Sequence, residues 1–178
     1  MKGYHYIKRG IDIILSGMAI VILSPLLLFL CIAIKLDTPG PILFKQKRVG
    51  IHRSFFQIYK FRTMRIDTPK DVPTHMLENP EQYITKVGKF LRKTSLDELP
   101  QIFNIFKGEM SIVGPRPALW NQDDLVAERE KYGANDVTPG LTGWAQINGR
   151  DELEIPDKAR LDGEYVKHLG PWMDLKRA

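Results

Sequence analysis

The chain has 178 residues, of which 26 are Lys or Arg and 21 are Asp or Glu, so its net charge is +5. This length fits one domain with a sizeable core, and the modest excess of positive charge fits anionic lipid, a phosphorylated substrate or nucleic acid. Cys31 is the only cysteine, which excludes an internal disulfide and a cysteine-based zinc site and argues against an exported, disulfide-stapled fold. We therefore expect a domain that faces the cytoplasm.

The N-terminal part of the chain is an uncharged apolar segment. Residues 13–34 carry no charge, which is long enough for a membrane-spanning helix. Basic residues lie on both sides of the segment, so the positive-inside rule gives no direction. Ser24 and Pro25 lie near its centre, where the proline removes a backbone hydrogen bond and the serine can bond the freed carbonyl.

These features favour a re-entrant membrane hairpin, helix-break-helix, over residues 1–36, with both basic flanks on one membrane face. A kinked spanning helix and a signal peptide are the alternatives that the sequence leaves open. The exit of the segment has no small-x-small cleavage pattern, so we expect the N-terminus to be kept.

A run of turn-forming residues at positions 37–41 separates this segment from a predicted cytosolic domain over residues 37–178. Aromatic and branched residues at 42–44 and 55–62, on either side of Gly50, predict a β-hairpin that carries Lys60 and Arg62. Residues 67–80 are polar and contain three prolines, which predicts a mobile loop.

Residues 84–93 have the pattern of a basic amphipathic helix. Val87, Phe90 and Leu91 are expected on its apolar side and the lysines and Arg92 on the other. Such a helix can lie on a membrane surface. The fold class predicted for the whole chain is therefore mixed α/β (α+β): a membrane hairpin, surface amphipathic helices and a short β-hairpin or sheet.

The segment 94–101 places two adjacent carboxylates, Asp97 and Glu98, between basic segments suited to binding phosphate. The side chains of successive helical residues point about 100° apart, so Asp97 and Glu98 cannot both face the same atom. If both take part in one reaction, we expect one to be a nucleophile or metal ligand and the other a base. The alternative is structural, because Ser95-x-x-Glu98 is also the pattern of a capping box. Under either interpretation a helix begins here, with Pro100 in its first turn and Gly108 at its end.

Two loops follow the carboxylates. Arg116 lies between two prolines in residues 114–117, and such a rigid loop would fix its guanidinium for phosphate binding. Residues 138–150 combine three glycines with Gln146, Asn148 and Arg150, as in loops whose backbone approaches a ligand. From these residues alone, an ordinary turn followed by a strand is the favoured interpretation of the second loop.

These residues resemble the bacterial sugar transferases, the monotopic phosphoglycosyl transferases of minimal, single-domain type. The similarity runs along nearly the whole chain and is carried by Lys8-Arg9, Asp12, Ser24-Pro25 and residues 59–64, 94–101, 111–117 and 139–150. It implies transfer of a sugar phosphate from a nucleoside diphosphate sugar, usually a UDP-sugar, to a polyprenol (undecaprenyl) phosphate with release of UMP. This step would initiate surface glycoconjugate assembly on the cytoplasmic face of the bacterial inner membrane, with downstream glycosyltransferases as further partners.

The resemblance also implies residue roles. Asp97 would form a covalent phosphosugar intermediate and contact Mg²⁺, while Glu98 would act as base or position the second substrate. The glycine-rich loop would bind the nucleotide end. The substrate-binding residues expected on this basis are Lys60, Arg62, Arg92, Arg116, Pro117, Gln146, Asn148 and Arg150.

Two observations qualify these expectations. Members of the family usually continue with another amphipathic segment past residues 174–176, whereas this sequence stops at Ala178. The main competing function is a non-catalytic, membrane-anchored basic adaptor in which Ser95 and Glu98 only cap a helix. Nucleic-acid binding is disfavoured because the basic residues share their segments with apolar faces and no binding motif is present.

Overall fold

The computed structural model describes residues 2–68, 79–149 and 153–175. Most of the loop predicted at residues 67–80, and the predicted site residue Arg150, lie outside these ranges. The described chain combines helices with two small sheets. In order, its elements are α1 (Lys2–Asp37), β1 (Leu43–Val49), β2 (Phe55–Phe61), α2 (Lys86–Thr94), α3 (Gln101–Lys107), β3 (Ser111–Val113), α4 (Asp123–Glu130), β4 (Gly140–Thr142), α5 (Trp144–Ile147), α6 (Ile155–Lys167) and α7 (Pro171–Leu175).

Helix α1 contains Pro25 in its interior. A proline cannot donate to the carbonyl four residues earlier, which here belongs to Val21. The Ser24 hydroxyl donates to that carbonyl oxygen at 2.8 Å, so the predicted role of the serine is confirmed. The helix is continuous across the predicted break, and the re-entrant path stays a prediction.

Both flanks of α1 are bonded to the rest of the chain. Near its start, the Lys8 ammonium lies 2.6 Å from the Asp174 carboxylate, and the buried Asp12 carboxylate accepts the Ile112 amide at 3.0 Å. At its end, Asp37 accepts the Val87 amide at 3.1 Å. The two ends of the apolar segment therefore contact the same folded domain.

The apolar residues of α1 divide between this domain and the exterior. Leu27, Leu30 and Ile34 are buried in a core cluster with Phe61, Leu91 and Ile102. Other large apolar side chains of α1 remain more than half exposed, among them Val21, Ile22, Leu28 and Phe29. By length and composition α1 is long and apolar enough to cross a membrane.

The predicted β-hairpin is confirmed, since β1 and β2 pair antiparallel with Lys45 opposite Tyr59. The fully buried side chain of Asn104, in α3, bonds to the backbone of β2. Its Oδ1 accepts the Tyr59 amide at 3.0 Å, and its Nδ2 donates to the Gln57 carbonyl at 2.8 Å. These bonds fix the backbone next to Lys60 relative to α3.

A second, parallel sheet of β3 and β4 was not predicted from the sequence. Its glycines have a packing role, because the chain segments approach too closely for a side chain. A Cβ on Gly140 would collide with the backbone nitrogen of Gly114, and one on Gly143 would collide with the Gly114 carbonyl oxygen. Gly140 and Gly143 thus allow the 138–150 segment to lie directly against the 114–117 loop.

Helix α2 confirms the predicted basic helix with one correction. Leu91 is fully buried and Val87 packs against the same core. Phe90, predicted to share their side, is 56% exposed. The apolar face by which α2 contacts the core is therefore narrower than the sequence pattern predicted.

Candidate active site

The two carboxylates lie on a short 3-10 turn, Leu96–Glu98, between α2 and α3. Ser95 ends α2 in the left-handed conformation with φ +57°, and its side chain makes no capping hydrogen bond. The capping-box interpretation is therefore wrong. Helix α3 begins at Gln101, after Pro100, and ends as predicted at Gly108, whose φ is +91°.

Glu98 is held by two cations. Its Oε1 accepts hydrogen bonds from Lys60 Nζ at 2.7 Å and from Arg116 Nη2 at 2.9 Å. Burial alone would raise the pKa of Glu98, but the charges and hydrogen bonds of Arg116 and Lys60 outweigh it and lower the pKa to about 2. Glu98 is thus a fixed anion and a poor proton acceptor.

Asp97 has a different environment on the same turn. Its pKa is raised, chiefly by burial and further by the adjacent Glu98 charge, while Lys60 and Arg92 oppose the rise. None of the salt bridges in the described ranges involves the Asp97 carboxylate. Its oxygens are therefore not bound in a salt bridge to any described cation and can approach a phosphorus atom or a metal ion.

Arg92 supplies a partly desolvated guanidinium next to Asp97. Its Nε donates to the Thr63 hydroxyl at 2.8 Å. Burial lowers the pKa of Arg92, and the Asp97 charge opposes this. A half-buried guanidinium attracts phosphate more strongly than a solvated one because less water competes for its donors.

Hydrogen bonds hold each residue of the 114–117 loop, which supports the predicted rigidity of the loop. Arg116 Nη2 reaches Glu98 from a backbone that is fixed by β4, α4 and β1. The four bonds are Gly114 N to Thr142 O at 2.8 Å, Gly140 N to Pro115 O at 2.9 Å, Arg129 Nη2 to Arg116 O at 3.0 Å and Arg48 Nη1 to Pro117 O at 3.0 Å.

The structure thus brings together Lys60, Arg92 and Arg116 around Asp97 and Glu98, with Pro117 next to them in the rigid loop. Arg62 has a different role: it is buried, and its guanidinium donates to the backbone oxygens of Thr38 and Pro39 at 2.7 and 2.6 Å. It therefore holds the link that follows α1.

The predicted residues of the glycine-rich segment bond locally. Gln146 donates to the Leu141 carbonyl at 3.0 Å, and Asn148 donates to the Trp144 carbonyl at 2.8 Å. Neither makes a direct hydrogen bond to Asp97 or Glu98 within the described parts of the chain. Arg150 lies outside the described residues.

Sequence reasoning missed three residues that support the site: Asn104 under β2, and Arg48 and Arg129 at the 114–117 loop. The two partners of Asn104 are 45 and 47 positions away along the chain, the partner of Arg48 is 69 positions away, and the Arg116 partner of Arg129 is 13 positions away. Arg129 also lies in a helix rich in charged residues, where an arginine is expected to be solvated. No local pattern marks these residues.

The donor groups at the dyad suit Mg²⁺. The described ranges contain no group of three or more His, Cys, Asp or Glu side chains that could enclose a metal. However, Mg²⁺ is usually bound through one or two carboxylates together with substrate phosphates. Asp97 offers one such carboxylate, whereas the Glu98 carboxylate is engaged by Lys60 and Arg116.

The amino-acid sequence of this chain matches one family of known proteins. The family model described as bacterial sugar transferase matches residues 3–177. A UDP-glucose:undecaprenyl-phosphate glucose-1-phosphate transferase of Escherichia coli (strain K12) is 41% identical, covering 96% of this chain and 38% of the relative. A UDP-N-acetylgalactosamine-undecaprenyl-phosphate N-acetylgalactosaminephosphotransferase of Aeromonas hydrophila is 39% identical over 97% of this chain and 42% of its own length.

A shorter relative, an uncharacterised sugar transferase of Bacillus subtilis (strain 168), is 39% identical over 96% of this chain and 82% of its own length. By contrast, this chain spans only about two fifths of the two longer relatives. The family assignment rests on nearly the full length of this chain.

Proposed function

The chain belongs to the bacterial sugar transferase family, and from this we propose that it moves a sugar 1-phosphate from a UDP-sugar to undecaprenyl phosphate and releases UMP. The observation that carries the proposal concerns two neighbouring carboxylates: Asp97 has no salt bridge to any described residue, whereas Glu98 is bonded by Lys60 and Arg116. Cations fixed beside a free carboxylate suit phosphoryl transfer, in which positioning and charge stabilisation supply most of the catalysis.

In the first half-reaction, an Asp97 carboxylate oxygen attacks the sugar-bearing phosphorus of the donor. A bond forms between that oxygen and the phosphorus, and the bond from the phosphorus to the bridging oxygen breaks. UMP leaves with the electron pair of the broken bond. The raised pKa of Asp97 favours this role, because a more basic carboxylate is a better nucleophile than one whose pKa is lowered, as that of Glu98 is.

In the second half-reaction, a phosphate oxygen of undecaprenyl phosphate attacks the same phosphorus and the bond to Asp97 breaks. A phosphate monoester is largely dianionic at neutral pH, so the attacking oxygen needs no base to remove a proton. This fits the lowered pKa of Glu98. We assign Glu98 to positioning Lys60 and Arg116 and not to proton transfer.

Lys60, Arg116 and Arg92 are the cations that would bind the donor diphosphate. Arg116 presents a planar fork on a rigid loop, which loses little entropy on binding. Bound Mg²⁺ would be held by Asp97 and would supply charge neutralisation on the phosphate oxygens.

We propose that the apolar part of α1 enters the membrane and returns to the same, cytoplasmic face of the inner membrane. Support comes from its two flanks, since Lys8 and Asp12 at one end and Asp37 at the other all bond to the same domain. In a spanning helix one flank would lie across the bilayer from that domain. The exposed apolar residues of α1 would then face lipid.

The names of the relatives include glucose, galactose and N-acetylgalactosamine as the transferred sugars. We therefore propose a UDP-sugar as the class of donor. Initiation of a surface glycoconjugate, and use of the product by downstream glycosyltransferases, follow as proposals from the same reaction.

The test is to incubate the purified protein with a radiolabelled panel of UDP-glucose, UDP-galactose and UDP-N-acetylgalactosamine, with undecaprenyl phosphate, and with Mg²⁺ or EDTA. We expect UMP release with at least one donor, label in the lipid fraction, and loss of both in EDTA. The absence of UMP release with every donor would contradict the proposal and favour a non-catalytic membrane adaptor.

A further inference from the structure

A buried ion pair lies outside the carboxylate dyad, between α4 and α6. Arg129 Nε donates to Asp162 Oδ2 at 2.8 Å, and Arg129 Nη2 lies 2.6 Å from the same oxygen. The two side chains are only 6% and 1% exposed. Because desolvation offsets most of the attraction in such a pair, stability alone does not explain it.

Arg129 also contacts the loop that carries Arg116. Its Nη2 donates to the Arg116 carbonyl oxygen at 3.0 Å, and the Arg116 guanidinium in turn donates to Glu98 at 2.9 Å. A series of direct bonds therefore runs from Asp162 through Arg129 and Arg116 to the dyad.

The position of this contact is informative because Arg116 lies between two prolines. The rings of Pro115 and Pro117 fix their own φ angles, and Pro117 has no amide hydrogen that could anchor the Arg116–Pro117 peptide. The Arg116 carbonyl is the polar group of that peptide, and Arg129 is bonded to it. The direction of the peptide plane in turn decides where the Arg116 side chain leaves the backbone.

We propose that Arg129, oriented by Asp162, is a positioning residue that sets the place of the Arg116 guanidinium during phosphoryl transfer. This inference rests on the proposed transferase function. The hydrogen bonds and the salt bridge of Arg129 among the described residues go to Asp162 and Arg116 and not to the dyad, so Arg129 would act through Arg116. A displacement of about 1 Å in a group that binds the reacting phosphate can cost about 100-fold in rate.

The main test is the double variant Arg129→Met/Asp162→Leu in the full chain. Replacing a buried ion pair by apolar residues of similar volume is often neutral for stability, yet it removes the donor to the Arg116 carbonyl. We expect a thermal melting temperature close to that of the wild type and a fall in kcat of about 10- to 100-fold, assayed with undecaprenyl phosphate and the UDP-sugar that the wild type uses.

A second measurement separates positioning from a general structural role. In an Arg116→Ala background, the same double substitution should lower kcat less than about threefold, because residues that act through one group are not additive. A purely structural contribution would give the same fold-loss in both backgrounds. The matched control is Arg53→Gln, which breaks an exposed ion pair to α4 and should leave activity unchanged.

Wild-type kcat in the folded double variant, or equal losses in the two backgrounds, would overturn the inference. If the double variant does not fold, Arg129→Lys is judged by the same two criteria, since lysine keeps the charge facing Asp162 but lacks the fork that bonds two partners. An inactive wild type, in contrast, contradicts the transferase function itself.

Discussion

The pKa values of the neighbouring carboxylates Asp97 and Glu98 shift in opposite directions, and this difference supports the roles proposed for the two residues. Lys60 and Arg116 bond Glu98 and lower its pKa to about 2. Asp97 has no such bond, and burial raises its pKa. Pairs of carboxylates whose pKa values are driven apart commonly divide a reaction between them. In the proposed reaction the division is between a nucleophile, Asp97, and an anchor for cations, Glu98.

Asp97→Asn tests the nucleophile, because it keeps the size of the side chain but removes the anionic oxygen. We expect turnover to fall by several orders of magnitude while the circular dichroism spectrum and melting temperature stay near those of the wild type. Retention of more than about a tenth of normal UMP release, which is only about 1.4 kcal/mol of barrier, would contradict the covalent mechanism.

Glu98 also predicts a dependence of stability on pH. Because its pKa in the folded protein, about 2, lies below its ordinary value, its ion pairs stabilise the fold above about pH 4.5 and this stabilisation is lost as the pH falls toward 2. Glu98→Gln lacks this contribution. In EDTA-containing buffer, the difference in melting temperature between wild type and Glu98→Gln should therefore shrink from pH 6 to about pH 3. A difference that stays constant over this range would show that Glu98 does not form its ion pairs with Lys60 and Arg116.

At the scale of secondary-structure elements, the site depends on the contact between the 114–117 loop and β4. Gly140 has backbone atoms of Gly114 where a Cβ would be, and backbone cannot move aside as a flexible side chain can. The glycines therefore fix how near β4 comes to the loop that carries Arg116.

Gly140→Ala should lower the free energy of unfolding by about 1–3 kcal/mol or more, the usual cost of overpacking. It should also reduce activity, because the added Cβ displaces the 114–117 loop. Gly170→Ala is the matched control, because the nearest atom to its added Cβ is 3.8 Å away. Urea titrations of both variants measure the difference. Equal stabilities for the two variants would contradict the close contact.

The elements also show how far the sequence predicts this fold. Local patterns identified the hairpin and the end of α3 at Gly108. The sheet of β3 and β4 was missed because three-residue strands are too short to show an alternating pattern. The capping box was wrong because Ser95 adopts a left-handed conformation, which a sequence motif does not reveal.

At the scale of the whole molecule, α1 is bonded to the rest of the chain on both sides of its apolar segment. The bonds of Lys8 and Asp12 and that of Asp37 lie on either side of the apolar residues. If the segment is re-entrant, these bonds hold the dyad close to the membrane surface, where the phosphate of undecaprenyl phosphate lies.

Cysteines introduced at Gly3 and Thr38, in a Cys31→Ala background, test this topology. We expect an impermeant thiol reagent to label both positions only from the cytoplasmic side of the membrane. Pro25→Ala restores the backbone donor that favours a straight helix, so it should shift the labelling toward opposite sides. If the cysteines introduced at positions 3 and 38 are labelled from opposite sides of the membrane while Pro25 is unchanged, α1 is a spanning helix.

The most direct test of the account is to mix the wild-type protein with its UDP-sugar donor and Mg²⁺ in the absence of undecaprenyl phosphate, quench the mixture and determine the intact mass. The covalent mechanism predicts release of UMP, up to one molecule per active site, and a mass increase of one sugar phosphate. That increase should map to the peptide containing Asp97 and should vanish when undecaprenyl phosphate is added before the quench. UMP release that requires the acceptor, with no adduct on Asp97 at any time, would contradict it and establish direct transfer between the two substrates.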